Sequence, residues 1–264
     1  MLFRSKTLTD KGVVLDLVVC RGSRRLGVLI TDASTFGRIE MHEVSEDGRV
    51  ITKREEIDLL RSGMKMDDLK YLFTNSLSYY ADVHGMLLVK QGANSELLKI
   101  ENSCLPGAHV TVKRILSMDN VDYFIQSALH LHDNLFVLSL HSPKLNDVVK
   151  VVEVISEMCY KDDITTVTMS GSLYANDMIK DDRDTVVVFG TQLGHEGVGN
   201  GMITALRFLK EQKKLMFGAH LLTEEVVPEG SQLGVITMQG NTVFFGEEGV
   251  SNTERVVEYK FRYE

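Results

Sequence analysis

The chain has 264 residues, 44% of them hydrophobic and 25% charged, and a formal net charge of −8. That length and balance support one large or two modest domains with a real core, and they exclude a disordered, collagen-like or low-complexity chain. The negative field disfavours a dedicated nucleic-acid binder, and no stretch approaches the roughly 20 apolar residues of a membrane-spanning helix.

The first ten residues lack the continuous apolar core of a leader peptide. The cysteines, Cys20, Cys104 and Cys159, are odd in number and have no metal-ligand spacing, which reads as isolated, reduced thiols in a cytoplasmic protein.

In chain order, Val13 to Cys20 and Leu26 to Thr31 are strand-like runs around Arg21-Gly-Ser-Arg-Arg25. Three arginines at one hairpin tip are either a solvated turn or a small anion-gripping or partner-contacting tip, because the guanidinium fork matches carboxylate and phosphate. Gly37 to Val44 and Arg49 to Thr52 make a second hairpin across Ser45 to Gly48. Residues 53–83 read as a helix pair, with a stop at Gly63 and a second start at Asp67-Asp68. Gly85 to Lys90 and Glu96 to Glu101 form a third hairpin, and Asn102 to Gly107 is a strong turn cluster.

Beyond that turn the pattern alternates. A helix is expected after Asp119, with Val121, Phe124, Ile125, Ala128 and Leu129 on one stripe, then a strand from Leu135 to Leu140. Ser142-Pro143 predicts a helix start for a helix carrying Leu145 to Met158. Ile164 to Met169 reads as a strand. Leu233 to Met238 and Thr242 to Phe245 flank Gly240-Asn241, a type II′ hairpin signal, and Glu254 to Arg262 is a last strand.

The stretch that organises this reading is Asp184 to Lys214. Val186 to Phe189 reads as a strand buried on both faces, Gly190 to Gly201 as a glycine-dense loop, and Met202, Ile203, Leu206 and Leu209 as one stripe of a helix. Glycines admit close approach of backbone N–H groups to an oxyanion, and a helix N-terminus adds its dipole. Gly194, Gly197, Gly199, Asn200 and Gly201 are therefore the candidate cradle for a phosphate-bearing cofactor or substrate, its identity unknown. His195 and Glu196 in the same loop are the candidate acid/base pair. The loop ends in no Gly-Lys-Ser/Thr, and its third glycine comes one residue early for a dinucleotide fingerprint.

Gly197 to Leu206 resembles the pyrophosphate-binding loop and following helix of the GNAT acyltransferases, which implies coenzyme A; Gly194 stands where that family has Gln or Arg. His132-Asp133, near His130, His141 and His84, resembles the doublet of the HD phosphohydrolases, a helical family; the same residues also suit a polar helix C-terminus.

The expected fold is α/β or α+β: a mixed sheet with crossover helices in the C-terminal two-thirds and β-hairpins at both ends. Its two parts are 1–102, hairpin-rich, and 103–264, alternating. The expected function is a small-molecule enzyme, a transferase, with a small phosphorylated ligand as its partner and no nucleic acid or membrane. The alternative is a non-catalytic structural or assembly protein that forms homo-oligomers.

Overall fold

A computed structural model of the chain describes residues 12–20, 22–31, 37–46, 51–70, 72, 77–80, 84–92, 94–120, 122–168, 173–180, 185–193, 199–222, 232–239, 242–248 and 254–260. Sheet one takes β1 (Val13–Val19), β2 (Arg25–Thr31), β3 (Arg38–Val44) and β4 (Ile51–Asp58). Sheet two takes β5 (Leu77–Tyr79), β6 (Met86–Lys90), β7 (Ser95–Glu101) and β8 (Thr111–Met118). Sheet three takes β9 (Phe124–His132), β10 (Leu135–His141), β11 (Val148–Ser156) and β12 (Cys159–Thr168). Sheet four takes β13 (Leu173–Lys180), β14 (Thr185–Leu193), β15 (Gly199–Leu209) and β16 (Lys214–Leu222). Sheet five has β17 (Gln232–Gln239), β18 (Thr242–Glu248) and β19 (Glu254–Lys260).

Within each sheet every strand pairs antiparallel with its chain neighbour, so each sheet is an up-and-down meander. The first strands adjoin one another: β1 lies against β5, β5 against β9, β9 against β13, and β13 against β17. Serial meanders with their first strands on a common side follow the blade pattern of a propeller.

Side-chain alternation explains the stacking. Along β6 and β7, Met86, Leu88, Leu98 and Ile100 point to sheet one and meet Leu29, Ile39 and Met41, while Leu87, Val89 and Leu97 point to sheet three and meet Phe136, Leu138 and Val152. From sheet three, Leu129, Val137, Val149 and Val151 point onward to Met178, Val186, Leu206 and Phe208 of sheet four. Strands buried on both faces need apolar residues at odd and even positions alike. Each such side chain contributes roughly 1.5–3 kcal/mol on burial.

That geometry corrects the expected fold class. The apolar run at Val186 to Phe189 does not mark a parallel sheet covered by helices: β14 pairs antiparallel with β13 and β15, and Val186 packs toward sheet three. The α/β or α+β reading with crossover helices is overturned, because the segments expected as helices are strands. Residues 53–58 belong to β4, where the charges are cross-strand partners rather than a solvated helix face: Lys53 Nζ reaches Glu40 Oε1 at 2.8 Å and Arg54 Nε reaches Glu43 Oε2 at 2.7 Å. Only one helical turn, α1 (Met66–Leu69), stands in that region among the described residues.

The stripe around Ile125, Ala128 and Leu129 lies on β9, where burial on both faces mimics helical spacing. Ser142 does what a helix cap does, its Oγ accepting N–H bonds from Lys144 at 3.2 Å and Leu145 at 3.0 Å, yet no helix follows. Val148-Val-Lys-Val-Val-Glu-Val-Ile155 is too rich in β-branched residues and pairs as β11. Residues 202–209 belong to β15, followed by a 3-10 turn at Lys210–Gln212 and left-handed Lys213 at φ 48°. The expected hairpins at 13–31, 85–101 and 233–245 are present. The turns at Ser45 to Gly48 and Gly240-Asn241 lie wholly or partly outside the described residues. Residue 102 falls in the turn between β7 and β8. No helix among the described residues is long and apolar enough to cross a membrane.

Candidate functional site

The described residues on either side of the glycine-rich loop are paired antiparallel strands. Leu193 pairs with Gly199, Gln192 with Asn200 and Thr191 with Gly201, so Gly199, Asn200 and Gly201 are the first residues of β15. Gly194, His195, Glu196 and Gly197 lie outside the described residues. A phosphate site of the expected kind needs the free N–H groups of a helix start; here the N–H groups after Gly199 belong to a paired strand. The helix expected after the loop, and with it the transferase reading and the likeness to a coenzyme A loop, is thereby corrected.

The polar side chains that the structure does bring together lie at the junction of sheets one and two. Arg25 opens β2 directly after the turn closed by Cys20 N–H to Arg25 C=O at 2.9 Å and Ser23 N–H to Cys20 C=O at 3.2 Å. Its side chain folds inward and is buried. Nη1 donates to the Cys104 carbonyl at 2.8 Å, and Nη2 pairs with the Glu55 carboxylate. Glu55 in turn accepts the Gly107 N–H at 3.3 Å. Cys20 is disulfide-bonded to Cys104 across 84 residues.

Arg25, Glu43, Arg54, Glu55 and Pro106 line a cleft of ≈ 380 Å³ beside these groups. Burial pushes the Arg25 guanidinium below its ordinary value, opposed by the nearby Glu43 carboxylate. The anion-gripping tip read from the sequence therefore grips, but its anion and its carbonyl come from the same chain. Arg24 stays exposed, 3.9 Å from Glu46, and Arg21 lies outside the described residues. The expectation of three isolated thiols is corrected for two of them; Cys159 alone is free and exposed.

The opposite side of β3 carries a second ionic cluster. Buried Glu40 receives Arg38 Nε at 3.1 Å and Lys53 Nζ at 2.8 Å, and His42 Nε2 stands 3.4 Å from it. Burial acts to raise the Glu40 carboxyl, but the bonds from Lys53 and Arg38 outweigh it and hold it below the usual carboxylate range. Asp16, at an irregularity in the β1–β2 register, joins the first strands of sheets one and two: its oxygens accept the N–H groups of Leu17 and Leu77, each at 2.7 Å. Burial raises its pKa to about 7, against the lowering effect of those two donors.

The histidine cluster separates into structural pairs. His132 Nδ1 lies 3.0 Å from Asp133 Oδ2 at the β9–β10 turn, where Asp133 is left-handed with φ 48°. His130 donates through Nε2 to the Asp133 carbonyl at 2.8 Å and stacks on Tyr80 of sheet two, ring centroids 4.0 Å apart. His141 belongs to another turn, with Nδ1 2.9 Å from Asp147 Oδ1; Asp147 also accepts the Ser142 N–H at 3.1 Å. His84 contributes its backbone carbonyl to the Cys104 N–H at 3.2 Å.

Asp16, Cys20, Cys104 and Asp147 escaped sequence reasoning as linked groups. Arg25 carried a signal, three arginines at one tip; the cysteine pairing carried none, because separation along the chain says nothing of proximity.

No family model matches the chain, and no curated protein does. Among solved structures it is similar to a Trypanosoma rangeli sialidase in complex with sialic acid, at TM-score 0.50 and 8% identity over 94% of this chain and 44% of that one. It is also similar to Saccharomyces cerevisiae Sqt1, at TM-score 0.45 and 8% identity over 94% and 63%. The β-propeller domain of the Trilobed protease from Pyrococcus furiosus matches at TM-score 0.41 and 10% identity over 91% and 66%. The chain thus spans less than two thirds of the first two proteins. At these identities the likeness concerns fold alone.

Proposed function

We propose that the chain is a non-catalytic assembly module, a rigid stack of blade-like sheets that forms homo-oligomers. One observation carries this reading: the polar side chains of Arg25, Glu55, Asp16 and Asp147 are committed to holding segments of the chain together. Arg25 and Glu55 tie a turn of sheet two to sheet one. Asp16 joins two first strands, and Asp147 fixes the turn behind His141. Contact points come from large apolar side chains left in water. Val13 and Val19 on β1, and Ile155 and Met158 at the β11–β12 turn, are 57–65% exposed and are the positions from which a subunit contact would be built. A cytoplasmic setting fits this reading only where the redox poise lets the Cys20–Cys104 bond persist.

The test is a thermal-shift panel of nucleotides, dinucleotides, coenzyme A, divalent cations and sialic acid. A ligand at a hundredfold excess over its Kd adds about 2.7 kcal/mol to the folded state. The assembly reading expects no ligand to move the melting temperature. A saturable shift from any of them would replace it with a small-molecule function.

A further inference from the structure

We propose that Cys20 and Cys104 form a redox latch between the first two sheets. When oxidised, the bond clamps the 102–108 turn of sheet two onto sheet one; when reduced, it frees that turn and the Pro106 wall of the cleft beside Arg25.

The turn has a set shape of its own. Asn102 and Gly107 are both left-handed, with φ 60° and 67°. Asn102 Nδ2 donates to the His109 carbonyl at 3.1 Å, Ser103 Oγ to the Ile100 carbonyl at 2.8 Å, and the Cys104 N–H to the His84 carbonyl at 3.2 Å. All of these keep the turn on sheet two.

Its hold on sheet one is different. It consists of the disulfide, the Arg25 Nη1 bond to the Cys104 carbonyl at 2.8 Å, and the exposed Gly107 N–H bond to Glu55 at 3.3 Å. Two of these three depend on the Arg25–Glu55 pair, and the third is covalent. Where sheets two and three meet, no disulfide stands among the described residues: Leu87, Leu97, Phe136 and Val152 pack that junction, and hydrogen bonds such as Ser78 Oγ to the Ala128 carbonyl at 2.7 Å and the Ile125 N–H to Ser95 Oγ at 3.1 Å cross it.

Both sulfurs sit in the sheet-one/sheet-two core, Cys20 1% and Cys104 5% exposed. A reductant therefore reaches the bond only when the turn lifts. Opening is a two-electron exchange: a thiolate of a small dithiol attacks one sulfur and forms a mixed disulfide. Its second thiol then displaces that sulfur, leaving a cyclic disulfide on the reagent and two thiols on the protein. Closing is the reverse, with a small disulfide as oxidant. The Arg25–Glu55 pair guards the bond by keeping the turn down, so Glu55→Gln speeds reduction by dithiothreitol while leaving the disulfide formed.

The experiment uses the full chain purified without reductant. Maleimide labelling in denaturant is expected to find one thiol, Cys159, before dithiothreitol treatment and three after. Hydrogen exchange across 102–108 is expected to rise by about tenfold or more on reduction, while residues 124–141 keep their rate. Cys159→Ser lowers the two thiol counts to none and two and leaves the exchange result unchanged; Cys20→Ser shows the faster exchange without reductant. Should that variant fail to fold, reduction of the unaltered chain alone decides the matter. Three thiols in the oxidised protein, or equal exchange of 102–108 in the two states, overturns the latch.

Discussion

The junction between sheets one and two and the junction between sheets two and three carry similar loads by different chemistry. The first combines apolar packing with a disulfide, an inward arginine and a carboxylate bonded across two first strands. The second packs Leu87, Val89, Leu97, Phe136, Leu138 and Val152, with the Tyr80–His130 stack at its margin, and adds side-chain hydrogen bonds and the exposed Arg114–Glu157 pair but no disulfide among the described residues. Apolar packing is indifferent to pH and redox state, whereas charges and sulfur are not. The first junction, with its buried carboxylate and its disulfide, is thus where redox state acts on the fold and pH acts on a buried group.

Breaking the apolar junction gives the largest effect. Phe136, 2% exposed, leaves a cavity on truncation, and Phe136→Ala costs about 3–5 kcal/mol by chemical denaturation at any pH and with or without reductant. Breaking the covalent tie costs less: Cys104→Ser lowers stability by about 2–4 kcal/mol, and added reductant then has no further effect. Both results sharpen the contrast, since reductant destabilises the native chain but leaves the Phe136→Ala deficit unchanged.

Acid–base behaviour separates the junctions next. Asp16 has its folded pKa raised to about 7 by burial, above the value of about 3.9 for an unfolded Asp. Between those values the folded chain holds more protons. Its contribution is therefore fully present below about pH 4 and is lost as pH rises through 7, at up to about 1.4 kcal/mol per pH unit. Glu40, held below its usual range, acts in the opposite sense, losing its contribution as pH falls through its folded pKa. Denaturation of Asp16→Asn beside the native chain isolates the first slope, and the difference between the two curves should flatten above pH 7. The smallest effect belongs to Arg114, which meets Glu157 through Nε at 3.1 Å and Nη2 at 3.0 Å on an exposed surface. Arg114→Ala is expected to cost under about 1 kcal/mol, less at high salt.

The hairpins were legible because their turns advertise themselves: Val13 to Thr31 and Met86 to Glu101 alternate around polar loops and pair as expected. The helix expected after Asp119 was misread because β9 is a strand buried on both faces. Ile125, Ala128 and Leu129 satisfy a 3.6-residue stripe, yet they also satisfy a strand lying between two sheets, and periodicity alone does not separate the two. The β-branched density of 148–155 was the better guide, and Ser142 drew attention away from it by forming a true cap bond without a helix behind it. At the candidate site, the arginine tip was visible while its partners were not. Cys104, Glu55 and Gly107 come from turns and strands 30 or more residues beyond Arg25, brought to it by the stacking of two meanders.

The most direct test of the assembly account is the mass of the purified full chain by light scattering over a dilution series. The account predicts a discrete multiple of 29.6 kDa that persists on dilution and collapses toward the single-chain mass when Ile155 and Met158 are both changed to Ser. A single-chain mass for the unaltered protein at every concentration would contradict it.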